Sequence, residues 1–389
     1  MPQKLSSRSA LILIVIAQFL GTSLWFAGNV AAPELELALG STGLTSWITS
    51  VVQLGFIIGT FTYALGSFAD RFSPSRVFLL SALFAAIFNL LIPLTPLSLV
   101  SVLGLRFLVG FFLAGIYPVG MKIAADYFEK GLGSALGFLV GALVMGTAFP
   151  YLLKAIGAEI SWESILWITS GLSILGGVMV GLFVPDGPFR KPNPVFDRNL
   201  IPSLVKIKAL RSAAAGYFGH MWELYTFWAF LPLLLLDLRG ETEITSDTSL
   251  MTFGIIAIGA LSCVMGGLIS GKLGSEKVAL FSLAGSGICG LILILFPTFP
   301  KELILPFLLL WGILVIADSP QFSTLVAQSV PAAYRGTALT LVNSIGFGLT
   351  ILSIQFSQFL SNLFSPREFL GWLLIGPVLG ILGFRYFKE

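Results

Sequence analysis

A chain of 389 residues with 56% hydrophobic and 11% charged side chains is not a water-soluble globular protein, whose charged fraction is about a quarter. Its 22 basic and 19 acidic residues leave a formal net charge of only +3, and no basic stretch is interleaved with aromatics, so nucleic-acid binding is set aside. Apolar runs of about 20 residues recur without the two-residue alternation of barrel strands, and because lipid cannot satisfy an open backbone, they read as transmembrane helices.

The first run, 11–32, follows Lys4 and Arg8 and superficially resembles a signal peptide. It is too long for one and lacks a small-residue cleavage site, so a retained first helix is expected. Breaks at proline, glycine and charge clusters place further spans at 44–65, 77–94, 98–121, 134–157, 164–184, 213–236, 248–270, 278–296, 303–326, 337–360 and 369–386. Between the sixth and seventh spans lies one long polar connection, with five prolines and the basic residues Arg190, Lys191, Arg198, Lys206, Lys208 and Arg211. The expected organisation is a first six-helix bundle at 1–184, a central loop at 185–212 and a second bundle at 213–389. The two cysteines, Cys263 and Cys289, lie inside apolar runs and read as small core residues.

Orientation follows from the lysines and arginines. With a cytoplasmic N-terminus, seventeen fall inside, among them Lys4, Arg8, Arg71, Arg76, Lys122, Lys130, the six of the central loop, Lys272, Lys277, Arg335, Arg385 and Lys388. Only Lys154, Arg239, Lys301 and Arg367 fall outside. Both termini and the central loop are therefore expected on the cytoplasmic side of a plasma membrane.

The two halves echo each other. Gly66, Arg71 and Arg76 after the second span map onto Gly267, Lys272 and Lys277 after the eighth with one constant offset. Pro118 in the fourth span answers Pro320 in the tenth, and Gly133-Ser134-Ala135-Leu136 answers Gly336-Thr337-Ala338-Leu339.

A glycine followed four and five residues later by Asp-Arg, then a further basic residue, here Gly66, Asp70, Arg71 and Arg76, resembles the signature of the major facilitator superfamily. Gly66 lets helices approach closely, and Asp70 with the nearby arginines can pair across a cytoplasmic gate in one conformation and separate in another. The second copy departs from the pattern, since Gly271 replaces the acid beside Lys272 and Lys277. Arg106-Phe107-Leu108-Val109-Gly110 also resembles a family motif, and the run from Gly115 to Lys122 is similar to the end of helix 4 in organic-anion symporters. The glycine-rich antiporter motif of helix 5 is matched at Gly137 and Gly146 but broken at Pro150, Tyr151 and Lys154. The resemblance implies an all-α integral membrane fold of twelve helices in two pseudo-symmetric bundles. It also implies alternating access, a bacterial inner-membrane location, a monomer, and a central cavity lined by helices 1, 4, 7 and 10.

Only Arg106, Glu223 and Asp318 among the charged residues fall well inside spans, together with the sole histidine, His220. A charge at that depth costs about 2.5–3.5 kcal/mol on insertion scales, which makes each a functional candidate. They fall on helices 4, 7 and 10. On helix 1, Gln18, Thr22, Trp25 and Asn29 share one face. On helix 4, Arg106, Gly110 and Tyr117 follow the same spacing; on helix 7, His220 and Glu223 are neighbours; on helix 10, Trp311 and Asp318 align. Together these residues are the expected substrate site. Arg106 offers a planar fork for an anionic group, or else a buried pair with Glu223 or Asp318. Glu223 is the preferred proton-coupling group, since a carboxyl in an apolar site is suited to exchanging a proton near the working pH. His220 either relays that proton or is a neutral core residue; Asp318, just before Ser319-Pro320, either couples protons or counters Arg106. Lys122, Asp126 and Lys130 read as an ion-pair ladder at the gate, and Trp162, Trp167 and Trp372 as interfacial anchors.

No metal-ligand cluster, nucleophile motif or phosphate loop is visible, so neither an enzyme nor a cofactor or metal is expected. The first reading is proton-coupled uptake of a small organic anion across the lipid bilayer. Its rival is proton-driven efflux of an amphipathic or cationic compound. From another class, a non-transporting membrane sensor would be expected to carry an added soluble domain or a long tail.

Overall fold

The computed structural model describes residues 5–128, 132–157, 160–190, 198–296, 298, 300–331 and 334–388, and every regular element among them is helical. Twelve helical stretches are long and apolar enough to cross a bilayer: Ser7–Leu39, Leu44–Gly66, Pro74–Leu94, Leu99–Tyr127, Ala135–Ile156, Trp162–Phe183, Lys208–Arg239, Ser246–Leu273, Ser275–Leu295, Lys301–Gln328, Arg335–Leu360 and Pro366–Lys388. They are called spans 1 to 12 in that order. Each of the twelve expected apolar runs is one of them, and the chain is an integral, multi-pass membrane protein. Several helices overrun the expected ends, and polar residues cap their starts. Ser98 and Thr245 open spans 4 and 8 with reciprocal capping boxes, and Ser365 with Glu368 opens span 12.

The chain divides into two compact units, Met1–Pro150 with Glu159–Val195, and Tyr151–Ala158 with Phe196–Glu389. In the first unit, small residues let spans 2 and 4 touch backbone to backbone. A Cβ on Gly110 would overlap the carbonyl oxygen of Val52, and one on Gly55 or Gly59 would overlap those of Phe107 or Phe111. The second unit repeats the device between spans 8 and 10, where a Cβ on Gly312 would overlap Ile255 O. Gly219 and Gly376 do the same for spans 7 and 12, where a Cβ on either would stand 2.5 or 2.6 Å from the other's carbonyl oxygen. The internal repeat seen in the loops thus extends to the packing inside each unit.

Span 12 tightens into a 3-10 turn at Trp372–Leu374, and three further spans are interrupted by non-helical residues. Span 4 breaks at 114–116, between Leu99–Leu113 and Tyr117–Tyr127, and span 10 breaks at Asp318, between Lys301–Ala317 and Ser319–Gln328. In both, proline takes the second position of the new helix, as Pro118 and Pro320, where its missing N–H is no loss. Gly115 is enclosed in the first of these breaks by the hydroxyls of Tyr63 and Ser81, themselves 2.6 Å apart. Span 1 breaks at 23–26, between Ser7–Thr22 and Ala27–Leu39, with no proline there. Its counterpart in the second unit, span 7, is one unbroken helix of 32 residues.

Candidate functional site

Arg106 is fully buried in the first unit. Its Nη2 donates to the carbonyl oxygens of Leu24 at 3.0 Å and Trp25 at 2.7 Å, and its Nη1 donates to Asn89 Oδ1 at 2.8 Å. The two carbonyls belong to the break in span 1, where the helical ladder leaves acceptors to be satisfied. Asn89 is oriented in turn by span 6, its Nδ2 donating to Leu166 O at 2.9 Å, Ser170 Oγ at 3.0 Å and Thr169 Oγ1 at 3.3 Å. All of Arg106's acceptors are therefore neutral, and among the described residues no carboxylate lies within ion-pair distance of it and Nε has no hydrogen-bond partner.

The polar face of helix 1 is buried against its own unit. Thr22 Oγ1 donates to Gln18 O at 2.7 Å and sits where a Cβ on Gly146 would be, and the Gln18 amide sits where one on Gly120 would be. Trp25 packs on Phe56 at 5.0 Å between ring centroids, and Asn29 Nδ2 donates to Thr49 Oγ1 at 2.6 Å. Tyr117 is half-buried, and the break at 114–116 interrupts the straight-helix register that would align it with Arg106.

In the second unit, span 7 carries both His220 and Glu223 into the bundle core, where they go to different partners. Glu223 accepts from Trp311 Nε1 through Oε1 and from Ser286 Oγ through Oε2, both at 2.7 Å. His220 Nδ1 lies 2.8 Å from Asp318 Oδ1, with both side chains essentially inaccessible. Trp311 is wholly buried and packs on Phe227 at 4.5 Å, so the indole acts here as the carboxylate's donor. Two acids thus bridge spans 7 and 10, Glu223 held by neutral donors from spans 9 and 10 and Asp318 by the imidazole of span 7.

The loop after span 2 forms a separate network. Lys122 Nζ lies 2.7 Å from Asp126 and 3.7 Å from Asp70, joining the loop to the end of span 4. Gly66 ends span 2 with the Phe68 ring 2.9 Å from where its Cβ would be, and Ser67 takes a left-handed φ of 49°. Arg190 pairs with Asp186 and donates to the carbonyl oxygens of Asp70 at 3.0 Å and Phe72 at 2.7 Å, while Ser73 Oγ donates to Asp186 at 2.6 Å. Arg71 and Arg76 are exposed, as are Lys272 and Lys277 in the second copy. Lys4, Lys130 and Lys191 lie outside the described residues.

Sequence reasoning did not single out Asn89, Ser286 or Gln53. Asn89 was detectable as a lone amide in an apolar run. Ser286 carried no such signal, since serine is common in apolar helices.

The family model for the Major Facilitator Superfamily matches residues 14–354. Among curated proteins, the chain is similar to a nitrite extrusion protein of Bacillus subtilis, 26% identical over 264 residues, covering 66% of this chain and 64% of the relative. A probable galactarate/D-glucarate transporter of Escherichia coli is 23% identical over 301 residues, 64% of this chain and 61% of the relative. A probable nitrate/nitrite transporter of Mycobacterium tuberculosis is 23% identical over 359 residues, 86% and 85% of the two chains. The match thus spans less than two thirds of the first two relatives. Among solved structures, a bacterial homolog of the human lysosomal transporter Spinster, in an inward-facing and occupied conformation, superposes with a TM-score of 0.69 over 97% of this chain and 96% of that one. At 14% identity this likeness shows the fold alone. The twelve spans, the repeated packing and the family match agree, and the chain belongs to the Major Facilitator Superfamily.

Proposed function

We propose that this protein is a secondary transporter that moves a small organic anion together with protons by alternating access. The observation that carries the reading is Arg106, a buried guanidinium with only neutral acceptors around it and an N–H left over. A permanent positive charge in a low-dielectric site attracts an anion far more strongly than it would in water. The printed names of the curated relatives, nitrite, nitrate and galactarate/D-glucarate carriers, support an anionic cargo. Glu223, Asp318 and His220 are assigned to proton coupling, because a buried carboxylate held by neutral donors has no fixed countercharge and can gain a proton as the cargo's charge arrives or leaves. The substrate-binding role of Gln18, Thr22, Trp25, Asn29, Tyr117 and Trp311 belongs to the same proposal, as does a gate at Gly66, Asp70, Arg71, Arg76, Lys272 and Lys277. The bias of basic residues supports cytoplasmic termini.

The test is uptake of labelled organic acids into proteoliposomes under an imposed pH gradient. The wild-type protein is expected to accumulate an anion only when the gradient is present. Glu223→Gln should keep exchange of anion for anion and lose gradient-driven accumulation, while Arg106→Gln should lose both. Anion accumulation by Arg106→Gln at the wild-type rate would sink the anion reading.

A further inference from the structure

Three amides in the first unit, Gln18, Asn29 and Gln53, are buried without full hydrogen bonding, and the last two lie together. Gln53, in span 2, is fully buried, and neither its Oε1 nor its Nε2 has a partner among the described residues. Asn29, 5% exposed, donates to Thr49 but its Oδ1 has none. Buried polar groups are paired in the great majority of cases, so such groups call for an explanation.

The two sit in one seam. Thr49, Gln53 and Phe56 fall on one face of span 2, four and three residues apart, and the flanking members meet Asn29 and Trp25 of span 1. Gln53 therefore faces span 1 between those two contacts. Arg106 reaches the same neighbourhood. Its Nε is 2.7 Å, and Ile48 Cγ2 3.0 Å, from the point where a Cβ on Gly28 would stand, and Asn29 and Thr49 are the next residues along. The Nε is the guanidinium nitrogen without a partner.

The chemistry of the orphans selects a ligand. A cation with a spare N–H suits a carboxylate. The amide oxygens of Asn29 and Gln53 need donors, which an inorganic oxyanion such as nitrate does not have. It would put negative charge against both carbonyls. A hydroxyl group donates and accepts at once and matches an amide on both counts. Resting on the anion reading above, we infer that Asn29 and Gln53 join Arg106 in a subsite for a hydroxylated carboxylate, its carboxylate on the Arg106 Nε–H and its hydroxyls on the two amides.

The test is thermal-shift titration of the purified full-length protein with D-glucarate, with adipate, which has the same carbon chain without hydroxyls, and with nitrate. D-glucarate is expected to bind about tenfold or more tightly than adipate, because a site built to bond hydroxyls rejects the analogue that lacks them. Gln53→Leu should remove most of that preference. Adipate or nitrate binding the wild-type protein as tightly as D-glucarate would overturn the subsite, and this comparison needs no variant. So would a folded Gln53→Leu protein with the preference intact. If adipate or nitrate binds and D-glucarate does not, the subsite falls and the anion reading stands; if no anion shifts the melting temperature, both fall.

Discussion

In the first unit a buried cation is held by two backbone carbonyls and an amide; in the second a buried carboxyl group is held by an indole N–H and a hydroxyl. The backbone responds differently to the two groups. A guanidinium needs acceptors, and in an apolar bundle the ready supply is the main chain, so span 1 opens at 23–26 to give up Leu24 and Trp25. A carboxylate needs donors, which side chains supply without disturbing a helix, and span 7 stays continuous for 32 residues. Elsewhere the units repeat each other, down to Gly110 against Val52 and Gly312 against Ile255. The difference teaches that the fold duplicated its packing while each half found its own way to keep an ionisable group in lipid.

The comparison breaks most sharply at Arg106. Arg106→Leu orphans three acceptors at once and is expected to destabilise the protein by about 3–5 kcal/mol, seen as a large fall in melting temperature in detergent. The sign-matched change on the other side, Glu223→Gln, keeps an oxygen for Trp311 and should cost about 1 kcal/mol or less. If both variants melted alike, the asymmetry argued here would be wrong. Next in size are Gly110→Ala and Gly312→Ala, each forcing a methyl onto a carbonyl of the neighbouring span. Each should destabilise by about 1–3 kcal/mol and by similar amounts, and unequal melting shifts would show that the packing repeat is only apparent. Asn89→Leu removes one acceptor from Arg106 and should lose about 1–2 kcal/mol, with a partial loss of anion affinity in the same titrations. The smallest effect is expected from Lys388→Met, at about 1 kcal/mol or less, because it and its partner Glu276 are both well exposed to solvent.

All twelve spans were legible in the sequence because length and apolarity decide membrane insertion residue by residue. The breaks in spans 4 and 10 were each accompanied by a proline, Pro118 or Pro320, although Pro150 and Pro232 lie inside continuous helices. The break in span 1 was not. Nothing between Thr22 and Ala27 forbids a helix, and the carbonyls the break frees are taken up by an arginine some eighty residues away. The buried charges could be picked out singly for the same reason the spans could, since each is an exception in an apolar run. Their partners could not be, because helical spacing says which residues share a face and says little about what the face meets. His220 and Glu223 are neighbours on span 7, yet one goes to Asp318 and the other to Trp311 and Ser286.

The bonds after Phe183 bear on where the first half ends as a physical object. Tyr127 donates to Pro185 O at 2.6 Å, Phe189 N donates to Asp126 O at 3.0 Å, and Arg190 ties down the loop after span 2. The sixth helix is therefore followed by a buckle that fastens the start of the central connection to the loop after span 2 and the end of span 4. A truncation, protease site or fluorescent insertion placed directly after the helix would open that buckle, whereas one placed beyond Arg190 would leave it fastened.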